Sequence, residues 1–315
     1  MAAILAMMLA LTIPDPVHPP IFDVVTVTSK RSFDCVSVAS LQSIQRFIAP
    51  REILVVRPQL WTETDCGVGG WGDNLRCLSE DHIVSGVTKR SLETFYRARG
   101  VVNNSRGRST AGWMLQQIIK LGISARPGLT SWYVVVDSDM IFVRHHVLFT
   151  DRGRALLYPG GYGEPYAANV QRMLGTPMAR TWTGHTFVSH SMTMQKRHVR
   201  SLMKMLHNGT RQGDWVSSVL EATLISKDPT LAFSEYATYA TYALSRFPRH
   251  YTMAWTWAPF FTRSPLIPIP WTWVRGGCCP TAFDAWTAWL IPTLRYFGFE
   301  RGHKRACRAS LAAVS

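Results

Sequence analysis

Ser131-Trp132-Tyr133-Val134-Val135-Val136-Asp137-Ser138-Asp139 is the stretch whose reading decides the fold. An unbroken run of β-branched and aromatic residues this long predicts a strand buried on both faces, as in a parallel sheet covered by helices. Two carboxylates close it, and buried carboxylates are costly unless a cation or hydrogen-bond donors meet them. Residues i and i+2 of an extended segment point to the same side, so Asp137 and Asp139 are placed to face one ligand. A D-x-D triplet arises by chance in roughly a third to a half of chains this long, given Asp usage of about 5%. Position therefore carries the reading. In open α/β sheets ligands bind beyond the carboxyl ends of the strands, and the apolar run Met140-Ile141-Phe142-Val143 resumes directly after the triplet. A divalent metal carrying a diphosphate is the ligand this arrangement suggests.

Working outward, Ile21-Phe22-Asp23-Val24-Val25-Thr26-Val27-Thr28 predicts a first buried strand. Apolar residues at near-helical spacing from Phe33 to Phe47 (Val36, Val38, Leu41, Ile44) predict a helix ended by Pro50. Glu52 to Val56 predicts a second strand, stopped by Pro58. A β-α-β opening argues for a parallel sheet with a right-handed crossover. Thr64 to Asn74 is Gly-rich but has neither the P-loop nor the GxGxxG spacing, and it reads as a surface loop. Gly112 to Leu121, closed by Gly122, predicts a helix leading into the acidic strand. Further on, His185 to Met194 predicts a strand with polar interruptions. Val199–Leu206, Asp214–Ile225 and Ser234–Leu244 predict helices.

Composition sets the outer limits. The chain has 315 residues, 47% hydrophobic and 17% charged, enough for a sizeable core. Its net charge is +14 and its pI about 9.9, which suits an anionic membrane surface or a phosphorylated substrate. No zinc finger, RNA-binding motif or long basic block appears, so nucleic acid is not an expected partner. Local basic groups occur at Lys196-Arg197-His198-Arg200 and near Arg301-His303-Lys304-Arg305-Arg308. The run Ala2 to Ile13 is too short to span a bilayer comfortably, and it resembles the apolar part of a signal peptide without the basic start. If it is a signal, the secretory pathway, Golgi lumen or a membrane association follows; otherwise the cytoplasm. Two N-glycosylation sequons (Asn103-Asn104-Ser105 and Asn208-Gly209-Thr210) add little, being near chance expectation. Of the six cysteines none is spaced as zinc ligands; Cys66 and Cys77 flank the Gly-rich loop, as a disulfide or as free thiols. The expected division is a leader at 1–20, a catalytic domain at 21–250 and an irregular Trp/Pro-rich extension at 251–315 packing on it. The tryptophans of that extension suit core packing, sugar stacking or membrane contact.

Several motifs, in order, resemble the GT-A-like nucleotide-sugar glycosyltransferases. More closely, the chain is similar to a poorly characterised family of predicted glycosyltransferases found in bacteria and algae. Asp23 to Thr28 looks like the nucleotide-proximal first strand. Gly112-Trp113 with Gln116-Gln117 and Lys120-Leu121 looks like the family's GW..QQ..KL helix. Asp137-Ser138-Asp139 matches its DxD, His190 falls in an SHxM-like element, and Ser234-Glu235-Tyr236 matches its SEY element.

The resemblance implies an α/β fold, GT-A-like (Rossmann-like), with a mixed, mostly parallel sheet flanked by helices. It also implies metal-dependent transfer of a sugar from a nucleotide-diphosphate sugar to a glycan, lipid or protein hydroxyl. Mn²⁺ or Mg²⁺ would then be held by Asp139, with Asp137 on the metal or the ribose and His190, or else His185, as a further ligand. Such an ion bridges the phosphates and stabilises the leaving charge. Glu235 is the first candidate for a general base and Asp214 a weaker one. Thr26, Gln116, Gln117 and Lys120 are candidates for contacts to the nucleotide, the sugar or the phosphates. Peripheral membrane contact stays among the expected partners. Two rival readings are a phosphatase of the haloacid-dehalogenase type and a non-catalytic carbohydrate- or membrane-binding protein with a transferase-like fold. The phosphatase carries its DxD on the first strand, whereas here two strands precede it.

Overall fold

The computed structural model describes residues 19–29, 35–58, 66, 74–101, 109–161, 164–208, 214–225, 232–254 and 296–298. Five strands form the central sheet: β1 (Phe22–Val27), β2 (Ile53–Arg57), β3 (Leu75–Ser79), β4 (Trp132–Asp137) and β7 (Ser191–Gln195), in the order β3-β2-β1-β4-β7. The first four are parallel and β7 runs antiparallel to β4. Two short pairs complete the strands: β5 (Met140–Phe142) with β9 (Tyr296–Gly298), and β6 (Ala155–Leu157) with β8 (Tyr251–Met253). The helices are α1 (Cys35–Phe47), α2 (Lys89–Arg97), α3 (Thr110–Gly122), α4 (Glu164–Leu174), α5 (Lys196–Asn208), α6 (Trp215–Leu224) and α7 (Glu235–Arg246). This is the mixed, mostly parallel, helix-flanked α/β sheet that the sequence predicts.

The core follows from the strand sequences. Val24, Val25, Val134, Val135 and Val136 have no exposed surface, so β1 and β4 are covered on both faces. Their register places Asp23 beside Tyr133 at one end and Val27 beside Asp137 at the other. The predicted strand from His185 to Met194 is shorter than expected. Only Ser191–Gln195 joins the sheet, because His190 takes a left-handed backbone (φ 59°) that breaks the extended run. Residues before it pair elsewhere: Gly160 N–H donates to Thr186 O, and Gly161 N–H to Val188 O. A Cβ on Gly160 would lie 1.9 Å from Val188 O, so only glycine permits this approach.

Helix starts carry clear chemistry. Ser109, Asp214 and Ser234 cap α3, α6 and α7, each accepting a backbone N–H three residues on. Thr88 and Ser91 form a reciprocal capping box on α2. Helix α2 was not expected, since only Leu92 and Tyr96 of its nine residues are buried. Edge strand β3 is missed for another reason: it is five residues long and its polar Arg76 and Ser79 leave no clear apolar pattern. Cys66 and Cys77 form a disulfide with Cα atoms 5.2 Å apart, which decides between the two states the sequence left open. The leader, the Gly-rich loop apart from Cys66 and Asn74, the first sequon, the basic group at 301–308 and most of 251–315 lie outside the described residues. Of the last segment, β8 and β9 are described, and Tyr296 is buried against Phe142. Among the described residues no helix is long and apolar enough to cross a membrane.

Candidate functional site

The strand order reverses between β1 and β4, since the chain builds outward to β2 and β3 on one side and to β7 on the other. A crevice at such a switch point, beyond the carboxyl ends of the strands, is where open α/β sheets bind ligands. Asp137 is the last residue of β4, at that point.

Three side chains converge on its carboxylate from three other segments, and a fourth, Glu235, joins through Lys120. Lys120, from the last turn of α3, donates to Oδ1 at 2.5 Å. The Tyr236 hydroxyl, from the first turn of α7, donates to the same oxygen at 2.8 Å. His190 Nδ1, just before β7, donates to Oδ2 at 2.5 Å, while Asp137 N–H donates back to His190 O. Glu235, beside Tyr236, takes Lys120 Nζ on Oε1 at 2.7 Å. The Lys120 ammonium also lies 4.6 Å over the Tyr236 ring. Gln117, one turn before Lys120, accepts the Glu235 backbone N–H at 3.4 Å. Helix α7 enters this cluster through its N-terminus, whose dipole favours the two carboxylates.

The burial is graded. The Lys120 and Glu235 side chains are 4% and 1% exposed, against 21% for Asp137 and 12% for His190. Solvent therefore meets Asp137 and His190, with the lysine, glutamate and tyrosine behind them. Burial pulls the Lys120 ammonium down, but Asp137 and Glu235 outweigh it and hold it above its ordinary value. Burial pushes Asp137 up, and Lys120 with His190 more than reverse this, holding the carboxyl well below the usual range. Glu235 goes the other way: burial raises it, Lys120 offsets that only in part, and the Asp137 charge adds to the rise. One ammonium thus serves two carboxylates unequally, and Glu235 Oε2 is left buried with no hydrogen-bond partner.

The predicted residues fare differently. Asp137, His190, Lys120, Gln117 and Glu235 come together. Lys120 offsets carboxylate charge inside the protein; it does not present its ammonium at the surface to a phosphate, because it is almost wholly buried. Glu235 is likewise sealed from solvent, so in this arrangement its carboxylate holds Lys120 and does not face an incoming hydroxyl. Asp214 is exposed and is the N-cap of α6, accepting Ser217 N–H at 2.9 Å. Thr26 is buried in β1 between Val55 and Val136, and its hydroxyl has no hydrogen-bond partner. Gln116 is half-buried on α3, and Asp139 half-buried in the turn after β4. Tyr236 was quoted only as part of a motif; that it grips Asp137 is visible only when α7 meets β4.

A divalent ion held by Asp137, Asp139 and His190 does not fit the side chains as they stand. Both Asp137 oxygens are taken by N–H and O–H donors, one of them a full ammonium that would repel a cation. Among the described residues no group of three or more His, Cys, Asp or Glu side chains is gathered to hold a metal.

Fold and site together define a mixed α/β protein with a charged, buried side-chain cluster at the switch point of its sheet. The chain belongs to the family described as DUF6492, a family of unknown function, whose model matches residues 35–258. No curated protein matches it. Among solved structures it is similar to mouse xyloside xylosyltransferase 1 in its apo form, at 9% identity over 90% of this chain and 98% of that one, with a TM-score of 0.43. It is similar to the galactosyltransferase LgtC in complex with donor and acceptor sugar analogues, at 13% identity over 69% and 85%, with a TM-score of 0.37. It is also similar to glucosyl-3-phosphoglycerate synthase from Mycobacterium tuberculosis in complex with Mn²⁺, UDP and glucosyl-3-phosphoglycerate, at 14% identity over 57% and 58%, with a TM-score of 0.28. These likenesses are weak.

Proposed function

We propose that the protein is a glycosyltransferase, moving a sugar from a nucleotide-diphosphate sugar to an acceptor hydroxyl at the carboxyl end of β1 and β4. The observation that carries the reading is the cluster at Asp137: a buried ammonium, two carboxylates, an imidazole and a phenol drawn from four elements to the switch point of the sheet. The motif order around it supports the same reading. In this reading Asp137 and His190 are the groups that touch the donor. Lys120, Glu235 and Tyr236 are positioning residues: Lys120 and Tyr236 hold the Asp137 carboxylate, Glu235 holds Lys120, and Lys120 with His190 keeps Asp137 ionised. Oδ1 already accepts from Lys120 and Tyr236, but Oδ2 keeps one lone pair beside His190 to accept a sugar or ribose hydroxyl, and charge-assisted bonds of this kind are about twice as strong as neutral ones. A phosphatase of the haloacid-dehalogenase type needs its first aspartate free to attack phosphorus. Here both oxygens of that aspartate are engaged, which counts against that rival.

The expected Mn²⁺ or Mg²⁺ takes no part in these steps, because the present side chains do not complete its site. The test is a thermal-unfolding screen of nucleoside diphosphates and nucleotide-sugars, each with Mn²⁺ and with EDTA. A ligand at a hundred times its Kd adds about 2.7 kcal/mol of stability. One nucleotide class is expected to raise the melting temperature of the wild type and not of Asp137→Ala. The EDTA arm decides metal dependence, and the absence of any stabilising nucleotide in either arm would sink the transferase reading.

A further inference from the structure

The other end of the same sheet carries opposite charge. Because β1 to β4 are parallel and β7 is antiparallel, the starts of β2, β3 and β4 and the end of β7 share one edge. That edge gathers Arg51, Arg76, Arg126, Lys196, Arg197 and Arg200, against the carboxylates of Asp23 and Glu52. Arg51, Arg76, Arg197 and Arg200 are exposed. Asp23 forks Arg51 and Glu52 lies 2.7 Å from Arg76, so two carboxylates face six basic side chains on this edge. A cleft of about 560 Å³ opens here, lined by Arg51, Arg76 and Arg126 with one carboxylate, Glu52, which is held by Arg76. Burial lowers the affinity of Lys196 for its proton, and the neighbouring Arg200 guanidinium lowers it further, as expected where like charges crowd.

A second observation selects the partner. Ile21, the residue before β1 on this edge, is 70% exposed. An exposed aliphatic beside a basic cleft suits the boundary between lipid headgroups and acyl chains. Nucleic acid would instead call for an aromatic on which bases stack.

We infer that the basic edge around Arg51, Arg76, Arg126 and Arg197 is a docking surface for anionic phospholipid headgroups, with Ile21 dipping between them. The cleft takes a headgroup phosphate, and the rim meets the anionic leaflet. Docked this way, the protein holds the Asp137 end of its sheet away from the lipid. The inference does not depend on the transferase reading, and each can fail without the other.

The test is co-sedimentation of the full chain with phosphatidylcholine vesicles, with and without phosphatidylglycerol. Binding is expected only with the anionic lipid, and it is expected to vanish when salt shrinks the Debye length to about 3 Å. Each basic residue at an anionic leaflet contributes about fivefold in affinity. The variant Arg76→Glu/Arg126→Glu/Arg197→Glu should therefore lose at least about a hundredfold, and Ile21→Ser a smaller factor. The salt titration needs no variant, so a misfolded triple mutant leaves the test intact. Equal binding to neutral vesicles, no binding to anionic ones, full binding by a folded triple variant, or tighter binding to a labelled oligouridylate would each overturn the inference.

Discussion

Asp23 and Asp137 sit on adjacent strands of one sheet, at opposite ends, and both are drawn out of water. Their partners differ. Asp23 is matched one to one: Arg51 forks it through Nε and Nη2 at 2.8 Å each, and Thr130 N–H adds a third bond. Asp137 shares its lysine with Glu235 and takes a histidine and a tyrosine besides. The first arrangement ties the start of β2 to β1 and to the turn before β4. The second leaves a carboxylate oxygen buried without a partner and places a histidine in a left-handed backbone. Strain and incomplete pairing of that sort gather where a protein binds or reacts. In the reading proposed above, the contrast is one between a joint and a site.

The largest effect is expected from Lys120→Met. It leaves the buried Glu235 and the half-buried Asp137 without their shared cation, and removing one member of a buried charge network costs about 3–5 kcal/mol. Urea unfolding at neutral pH measures it; a loss below about 1 kcal/mol would mean that the ammonium is not the hub of the cluster. Arg51→Gln breaks the other end. Its guanidinium is 45% exposed, so solvent softens the loss, and about 2 kcal/mol is expected. It should leave nucleotide binding unchanged, whereas Lys120→Met should abolish it. Equal effects on binding would erase the distinction between joint and site.

The smallest effect separates the two carboxylates of the site. Glu235 has its folded affinity for protons raised, so its contribution to stability is greatest in acid and is lost as pH rises through that raised value. Asp137 is the reverse: its contribution is present above the unfolded carboxyl value and is lost as pH falls. Glu235→Gln should therefore match the wild type in acid and gain on it towards neutrality, by about 1.4 kcal/mol for each unit by which the group is raised. A difference independent of pH would show that Glu235 is not the proton-holding partner.

Much of the fold was legible because it rests on local pattern. The Val134-Val135-Val136 run can only be a doubly covered strand, and Ser234 before Glu235 and Tyr236 announces a helix start. Two elements were not legible: β3 is short, with Arg76 and Ser79 breaking its apolar residues, and α2 buries only two side chains. At the site, Asp137, His190, Lys120, Gln117 and Glu235 were all picked out, each for a contact with the ligand. What the sequence hid was their use on one another, since Lys120 and Glu235 stand 115 residues apart and meet through one 2.7 Å contact.

The sequence by itself determined the doubly covered strand, the carboxylates at its end and the excess of positive charge, because these depend on neighbours along the chain and on composition. Only the tertiary structure decided that Lys120 is shared between Asp137 and Glu235, that His190 is bent onto Asp137, and that arginines at or before three strand starts line one edge. Those outcomes depend on strand order and helix docking, which bring distant residues within a hydrogen bond's reach, and no local pattern encodes such distances.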